Sequence, residues 1–277
     1  MKRFFTWVFS GALLLGAGPA ARAQQVPSSP YRTRLAVDGP VTGGLGLVSG
    51  TGLYLIKQKH GLSDAELAAL NKNDVPQIDR FSAGWYSDNA QTASDFSCYG
   101  SMVVAPGLLA LSPGIRRHYG QVLGLYVQTV LATEAIFTMS AGTVYRSRPY
   151  LYGTQGGGGR SGETATNSFF SGHTANTATA TFFAAKVFND FNPSSRARPY
   201  VWGAAAVVPA AVAFFRVEAG KHFLTDNLLG YAVGATMGIL VPQLHKKAAG
   251  RGVGLMPWQG RNANGYAYSG LLLSKRL

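Results

Sequence analysis

The sequence predicts an all-α fold: a bundle of about five to six core helices, preceded by a short irregular N-terminal arm and followed by a strand-like tail. Three observations carry this. Five long apolar segments run without the alternation that marks half-buried strands. Only 13% of the 277 residues are charged, and hydrophobic residues make up 47%, which excludes a disordered chain. The length fits one large domain or two small ones and is ample for a core.

The elements follow in chain order. Lys2 and Arg3 precede an apolar stretch from Phe4 to Ala17, and Ala21-Arg22-Ala23 offers small residues where a signal peptidase reads. Residues 1–23 are therefore expected to be a leader cut before Gln24, the alternative being an uncleaved anchor. Residues 24–95 are read as an arm and helical lead-in. Within them, Gln24 to Asp38 reads as extended, with two prolines and two adjacent serines, and residues 39–56 hold six glycines, so a helix there is weak by propensity. Ser63-Asp-Ala-Glu66 is a capping box that should open a short helix through Leu70. The polar stretch from Asn71 to Asp95 reads as irregular.

Residues 96–248 hold the apolar segments, at about 97–113, 119–141, 172–188, 200–216 and 223–244, all read as helices, with Pro209 expected to kink the fourth. Residues 249–277 lack a helical pattern, and the run from Tyr266 to Leu273 reads as a strand. A membrane span needs about 20 apolar residues, and the charge-free windows 96–115, 199–215 and 227–244 are borderline. With an exported N-terminus and no crossing over 39–56, Arg116, Arg117, Arg196 and Arg198 would fall inside, while the loops 142–170 and 217–222 would face outward. An integral or tightly membrane-associated protein and a soluble bundle both remain open.

Charge narrows the partners. Lys and Arg number 25 against 12 Asp and Glu, a formal +13, which favours anionic ligands. The basic residues are dispersed and no nucleic-acid module is present, so nucleic acid is not expected as a partner. Cys98 is the single cysteine, which excludes an internal disulfide and a cysteine-based zinc site.

Three segments bring phosphate-binding groups to helix ends. Arg148 stands before Pro149, which stops the preceding helix and fixes where a planar guanidinium emerges. Ser171-Gly172-His173 opens a helix, whose free N–H groups attract anions; Ser171 could equally be a plain N-cap, and Gly172 lets backbone approach a ligand. Arg216 precedes His222 and Asp226, which are spaced so that one helix face could hold both. Each segment alone also reads as ordinary structure.

Taken together, Arg148-Pro149, Ser171-Gly172-His173 and Arg216 with His222 and Asp226 resemble the three motifs of the type 2 phosphatidic acid phosphatase family, related to bacterial class A acid phosphatases and vanadium haloperoxidases. The resemblance covers roughly residues 97–245. It departs from the family at Ala141, where a lysine is expected, at Phe170 for a proline and at Phe215 for a serine. Arg146, Arg160 and Lys221 are candidates to replace the missing cation, and the sequence does not choose among them.

The resemblance implies a helical fold with the active site at one end and a phosphatase acting on phosphomonoesters or pyrophosphates, with lipid phosphates the expected class. It implies that His222 attacks phosphorus to form a phosphohistidine, that Asp226 orients that imidazole, and that His173 protonates the leaving group and then activates water. Arg148, Arg216 and the amides near Ser171 and Gly172 would hold the phosphoryl oxygens. No metal or other cofactor is called for, because arginines and a helix end supply the positive field. Opposite protonation demands on two imidazoles imply a bell-shaped pH profile. A soluble-substrate acid phosphatase, a vanadate-loaded peroxidase and a non-catalytic envelope protein with a degenerate site are the alternatives. His60, His118 and His245 read as surface residues, Glu134 is given no role, and Gly156 to Gly159 reads as a lid or linker.

Overall fold

A computed structural model describes residues 28–156 and 160–247, together with the backbone of two C-terminal strands. The expected leader, Gln24 to Pro27 of the arm and Gly157 to Gly159 lie outside the described residues. Nine α-helices appear among the described residues: α1 (Leu35–Lys57), α2 (Asp64–Ala69), α3 (Gln77–Arg80), α4 (Asp88–Leu109), α5 (Pro113–Arg116), α6 (Tyr119–Thr143), α7 (Gly172–Phe191), α8 (Arg198–Glu218) and α9 (Leu224–His245). Strands β1 (Val253–Arg261) and β2 (Ala267–Lys275) pair antiparallel, in a register that sets Val253 opposite Lys275 and Arg261 opposite Ala267. The expected strand is therefore one arm of a hairpin.

The glycine-rich stretch is a correction. Residues 35–57 form a continuous helix of 23 residues, about 34 Å long at the usual rise. Tertiary packing overrides propensity here. A β-carbon at Gly52 would stand 2.4 Å from the Thr138 hydroxyl, and one at Gly142 would stand 2.7 Å from the Leu55 β-carbon, so small residues let α1 and α6 run in contact. Lys59 closes the pair: its ammonium donates to the carbonyls of Ala141 (2.9 Å) and Val144 (2.8 Å), satisfying acceptors at the end of α6. The Asn71–Asp95 stretch is also more ordered than expected, with a 3-10 turn at Lys72–Asp74, then α3, and α4 opening at Asp88 under the Ser87 cap. The capping box at Ser63 and Glu66 is present as read.

The long helices run end to end. Helix α6 starts beside Tyr31, whose carbonyl accepts from Gln121, and ends beside Lys59; α1 runs parallel to it. Helix α7 returns, α8 rises and α9 descends until Lys246 meets Asp190 at 2.5 Å. One end thus collects Arg32, Arg34, Arg116, Arg117, Arg196, Arg198, Lys246 and Lys247, and the other holds the loops 144–171 and 219–223. Helices α6, α8 and α9 are long and apolar enough to cross a membrane. Exposed Val103, Leu108, Leu111, Val207, Phe214, Leu240 and Leu244 extend that apolar surface well beyond scattered residues, which marks membrane association.

The expected topology counted no crossing over 39–56. With α1 running the full height, residues 28–34 and the loop end lie on opposite sides. A leader cut before Gln24 and a loop end on the exported side cannot both hold in a bundle that crosses the membrane.

Candidate active site

The loop end gathers the residues that the sequence singled out. The turn between α8 and α9 is tight: Gly220 has φ +64°, and a β-carbon there would stand 1.8 Å from the Trp85 carbonyl, so only glycine fits. This turn returns the chain so that the N–H groups of Lys221 and His222 both donate to the Arg216 carbonyl, at 3.1 and 3.3 Å. Arg216 and His222, six positions apart, are thereby locked side by side.

His222 is buried, and its Nδ1 lies 2.6 Å from the Ser168 carbonyl oxygen. A carbonyl only accepts, so Nδ1 carries the proton and the lone pair belongs to Nε2. Burial, reinforced by Arg148 and Arg216, holds His222 well below the usual imidazole range. A neutral imidazole with a free Nε2 is the form a nucleophile requires.

Asp226 requires a correction. Its carboxylate accepts from Arg146, from Ser168 Oγ (2.7 Å) and from the Phe223 N–H (2.9 Å), and none of its hydrogen bonds reaches His222. The spacing argument failed because His222 precedes the helix: α9 begins at Leu224, so the two residues do not share a helix face. Asp226 instead fixes Ser168, whose carbonyl orients His222. Arg146 is clamped between Asp226 and Asp79 (2.7 Å), and Asp79 also accepts from the Thr225 amide (3.0 Å) and hydroxyl (2.6 Å).

His173 stands in the first turn of α7, half-buried against the edge of Tyr99. Its Nε2 lies 2.8 Å from Asp95 Oδ1, and the same oxygen lies 3.1 Å from Arg216 Nη1. Burial and Arg216 lower His173 to about 4, with Asp95 pulling the other way. Sequence reasoning missed Asp95, because it lay at the edge of a stretch read as irregular. The available signal was an acid at the head of a long uncharged segment.

Arg148 donates through Nε to the Thr164 carbonyl at 2.9 Å, and among the described residues nothing takes its two terminal nitrogens. Arg216 is buried, with Nη1 also donating to Ser94 and with Nε unpaired. The two guanidinium groups thus bring unmatched donors to the space beside His222.

Ser171 takes the plain N-cap alternative, and Gly172 is set by packing. The Ser171 hydroxyl caps α7, bonded to the Thr174 N–H and hydroxyl and fully buried, and its N–H donates to the Asp226 carbonyl. A β-carbon at Gly172 would stand 2.6 Å from the Phe137 ring, so glycine there answers to packing rather than to a ligand. The amides of Gly172 and His173 meet no acceptor among the described residues and remain the anion-attracting end of α7.

His60 is exposed as read, while His245 is half-buried and pairs with Asp38 at 3.1 Å. Glu134 accepts from Asn176 Nδ2 at 2.5 Å inside the bundle.

A family model spans the segments that hold Arg148, His173, Arg216 and His222. Residues 122–249 match the model of the PAP2 superfamily. The lipid A 4'-phosphatase of Porphyromonas gingivalis is 35% identical over 86 residues, which are 31% of this chain and 33% of that protein. The match therefore spans about a third of that relative's length. A transmembrane PAP2-type phosphatidylglycerolphosphate phosphatase from Bacillus subtilis, known from its crystal structure, aligns at a TM-score of 0.42 and 18% identity, over 73% of this chain and 94% of the other.

Proposed function

We propose that the protein, whose residues 122–249 match the PAP2 superfamily model, is a phosphatase acting on lipid phosphate esters or pyrophosphates through a phosphohistidine. The observation that carries this reading is the single orientation available to His222: Nδ1–H on the Ser168 carbonyl and the Nε2 lone pair beside Arg148 and Arg216.

In the first step, Nε2 of His222 attacks phosphorus and the bond from phosphorus to the ester oxygen breaks. His173, protonated on Nε2, passes that proton to the departing alkoxide. In the second step, His173 takes a proton from water as the oxygen attacks phosphorus, and the phosphorus–nitrogen bond breaks to release phosphate and neutral His222. Arg148, Arg216 and the amides of Gly172 and His173 hold the equatorial oxygens as charge redistributes. Asp226 keeps Ser168, and through it His222, in register. The donors are cationic side chains and a helix end, so no step is routed through a metal.

The lipid class is supported by the apolar exterior of the bundle and by the similarity to the lipid A 4'-phosphatase. The eight basic residues at the opposite end favour, by the positive-inside rule, an orientation with that end inward and the site on the periplasmic side, a reading that sets aside the expected cleaved leader. Protease-cleavable tags at Lys57 and at Ser194 report the orientation directly. The function itself is tested by phosphate release from a panel of lipid and soluble phosphoesters, comparing wild type with His222→Ala. Lipid phosphates should turn over, with a loss of about a thousandfold or more in the variant. Release from soluble esters alone would instead favour the acid-phosphatase alternative.

A further inference from the structure

Ala141 occupies the position where the resemblance leads one to expect a lysine, and the structure traces what each nearby cation does instead. Arg146 is consumed by Asp79 and Asp226. Lys59, the nearest ammonium to Ala141, is spent on the carbonyls of Ala141 and Val144. Arg160 keeps its Nε unpaired, but its Nη2 is tethered to the Leu151 carbonyl at 3.0 Å. Lys221 differs. Its ammonium lies 5.0 Å from the centre of the Tyr150 ring, and among the described residues no carboxylate or carbonyl holds it.

The turn fixes where the Lys221 main chain sits. Lys221 is the residue before His222, and both N–H groups share the Arg216 carbonyl. Gly220, on its other side, accepts from the Tyr150 N–H at 3.0 Å, which bolts the turn to the segment that begins with Arg148 and Pro149. We propose that Lys221 is a further phosphate-binding residue, its ammonium gripping a phosphoryl oxygen beside His222 and replacing the lysine absent at position 141.

This assignment rests on the phosphatase reading for its substrate, but its local argument is electrostatic. Lys221 is half-buried, and both Arg148 and Arg216 work against its charge, with Asp88 and Asp95 on the other side. A cation held among two guanidinium groups, with an aromatic face as its close contact and Asp88 and Asp95 outside hydrogen-bonding reach, lacks a directly paired anion. A phosphate carrying one or two negative charges supplies it. Arg148 and Arg216 approach as planar forks, whereas an ammonium on a flexible stem can follow the phosphorus as it moves from oxygen to nitrogen.

The test uses the full-length protein in detergent and inorganic phosphate as the probe, titrated calorimetrically so that no turnover is required. Lys221→Gln should weaken phosphate binding about tenfold or more, as expected for loss of a charge-assisted contact. Lys221→Arg, which keeps the charge and the bulk, should stay within about threefold of wild type, and this retention separates a lost contact from a folding defect. Arg196→Gln, at the opposite end of the bundle, should change nothing and so controls for net charge. Equal phosphate affinity in wild type and Lys221→Gln overturns the proposal. So does an equal loss in Arg196→Gln, a loss that appears only in Arg160→Ala, or a wild type that does not bind phosphate. Phosphate binding that depends on Lys221 without hydrolysis of any ester supports Lys221 and counts against the phosphatase reading alone.

Discussion

Along α9, Gly230, Gly234 and Gly238 let α7 approach so closely that a β-carbon at Gly234 would stand 2.0 Å from the Ala175 carbonyl. At the head of the same helix, Arg146, Asp79, Thr225, Asp226 and Ser168 are joined by charge-assisted hydrogen bonds. The two regions solve different problems. In the body, shape alone positions the helices, and the outer surfaces are free to be apolar. At the loop end, chain segments distant in sequence must hold two imidazoles and two guanidinium groups in register, and a network of directional bonds achieves that. Errors in the body should therefore cost stability, while errors at the loop end should cost stability and chemistry together.

The largest expected effect comes from Arg146→Met, which leaves the Asp79 and Asp226 carboxylates buried without their cation. The loss should be about 3–5 kcal/mol in denaturant unfolding, with activity falling even where the fold survives. Gly234→Val attacks the body instead: α7 and α9 must part, at a cost of about 1–3 kcal/mol or more. Its residual folded fraction should keep the wild-type pH profile, and a shifted profile would erase the distinction between the two regions.

Asp95→Asn sharpens the comparison from the loop end. Asp95 favours the protonated form of His173. Removing its charge lowers the proton affinity further, so the acid is lost at a lower pH. The falling, alkaline limb of the kcat profile should move downward by about one unit or more. An unmoved limb, or one displaced upward, contradicts the role given to His173. The smallest effect belongs to the far end. Tyr31→Phe removes one of three hydrogen bonds to Asp190, which keeps Lys186 and Lys246. It should cost about 1 kcal/mol in thermal unfolding and nothing in turnover.

The same contrast explains what was legible in the sequence. Helices α6 to α9 announced themselves by apolar content and lay within a few residues of their expected bounds. Helix α1 did not, because six glycines argue against a helix until the facing surface of α6 is known, and that surface is a tertiary fact. At the site, Arg148, His173, Arg216 and His222 were readable because side-chain chemistry and order survive in a string of letters. The orientation of His222 was not, since it depends on the Ser168 carbonyl, and every residue has a carbonyl. Asp226 was legible as a residue but misread in its contact, because helix spacing was assumed across a helix start. Asp79 and Asp95, on segments read as irregular, could be connected to the site only by folding.

The most direct test of the account is rapid-quench labelling with a phosphate ester carrying radioactive phosphorus, followed by peptide mapping of the trapped protein. Label that is lost in acid, stable in alkali and confined to His222 is the predicted result. Label on any other side chain, or steady turnover persisting in His222→Ala, contradicts it.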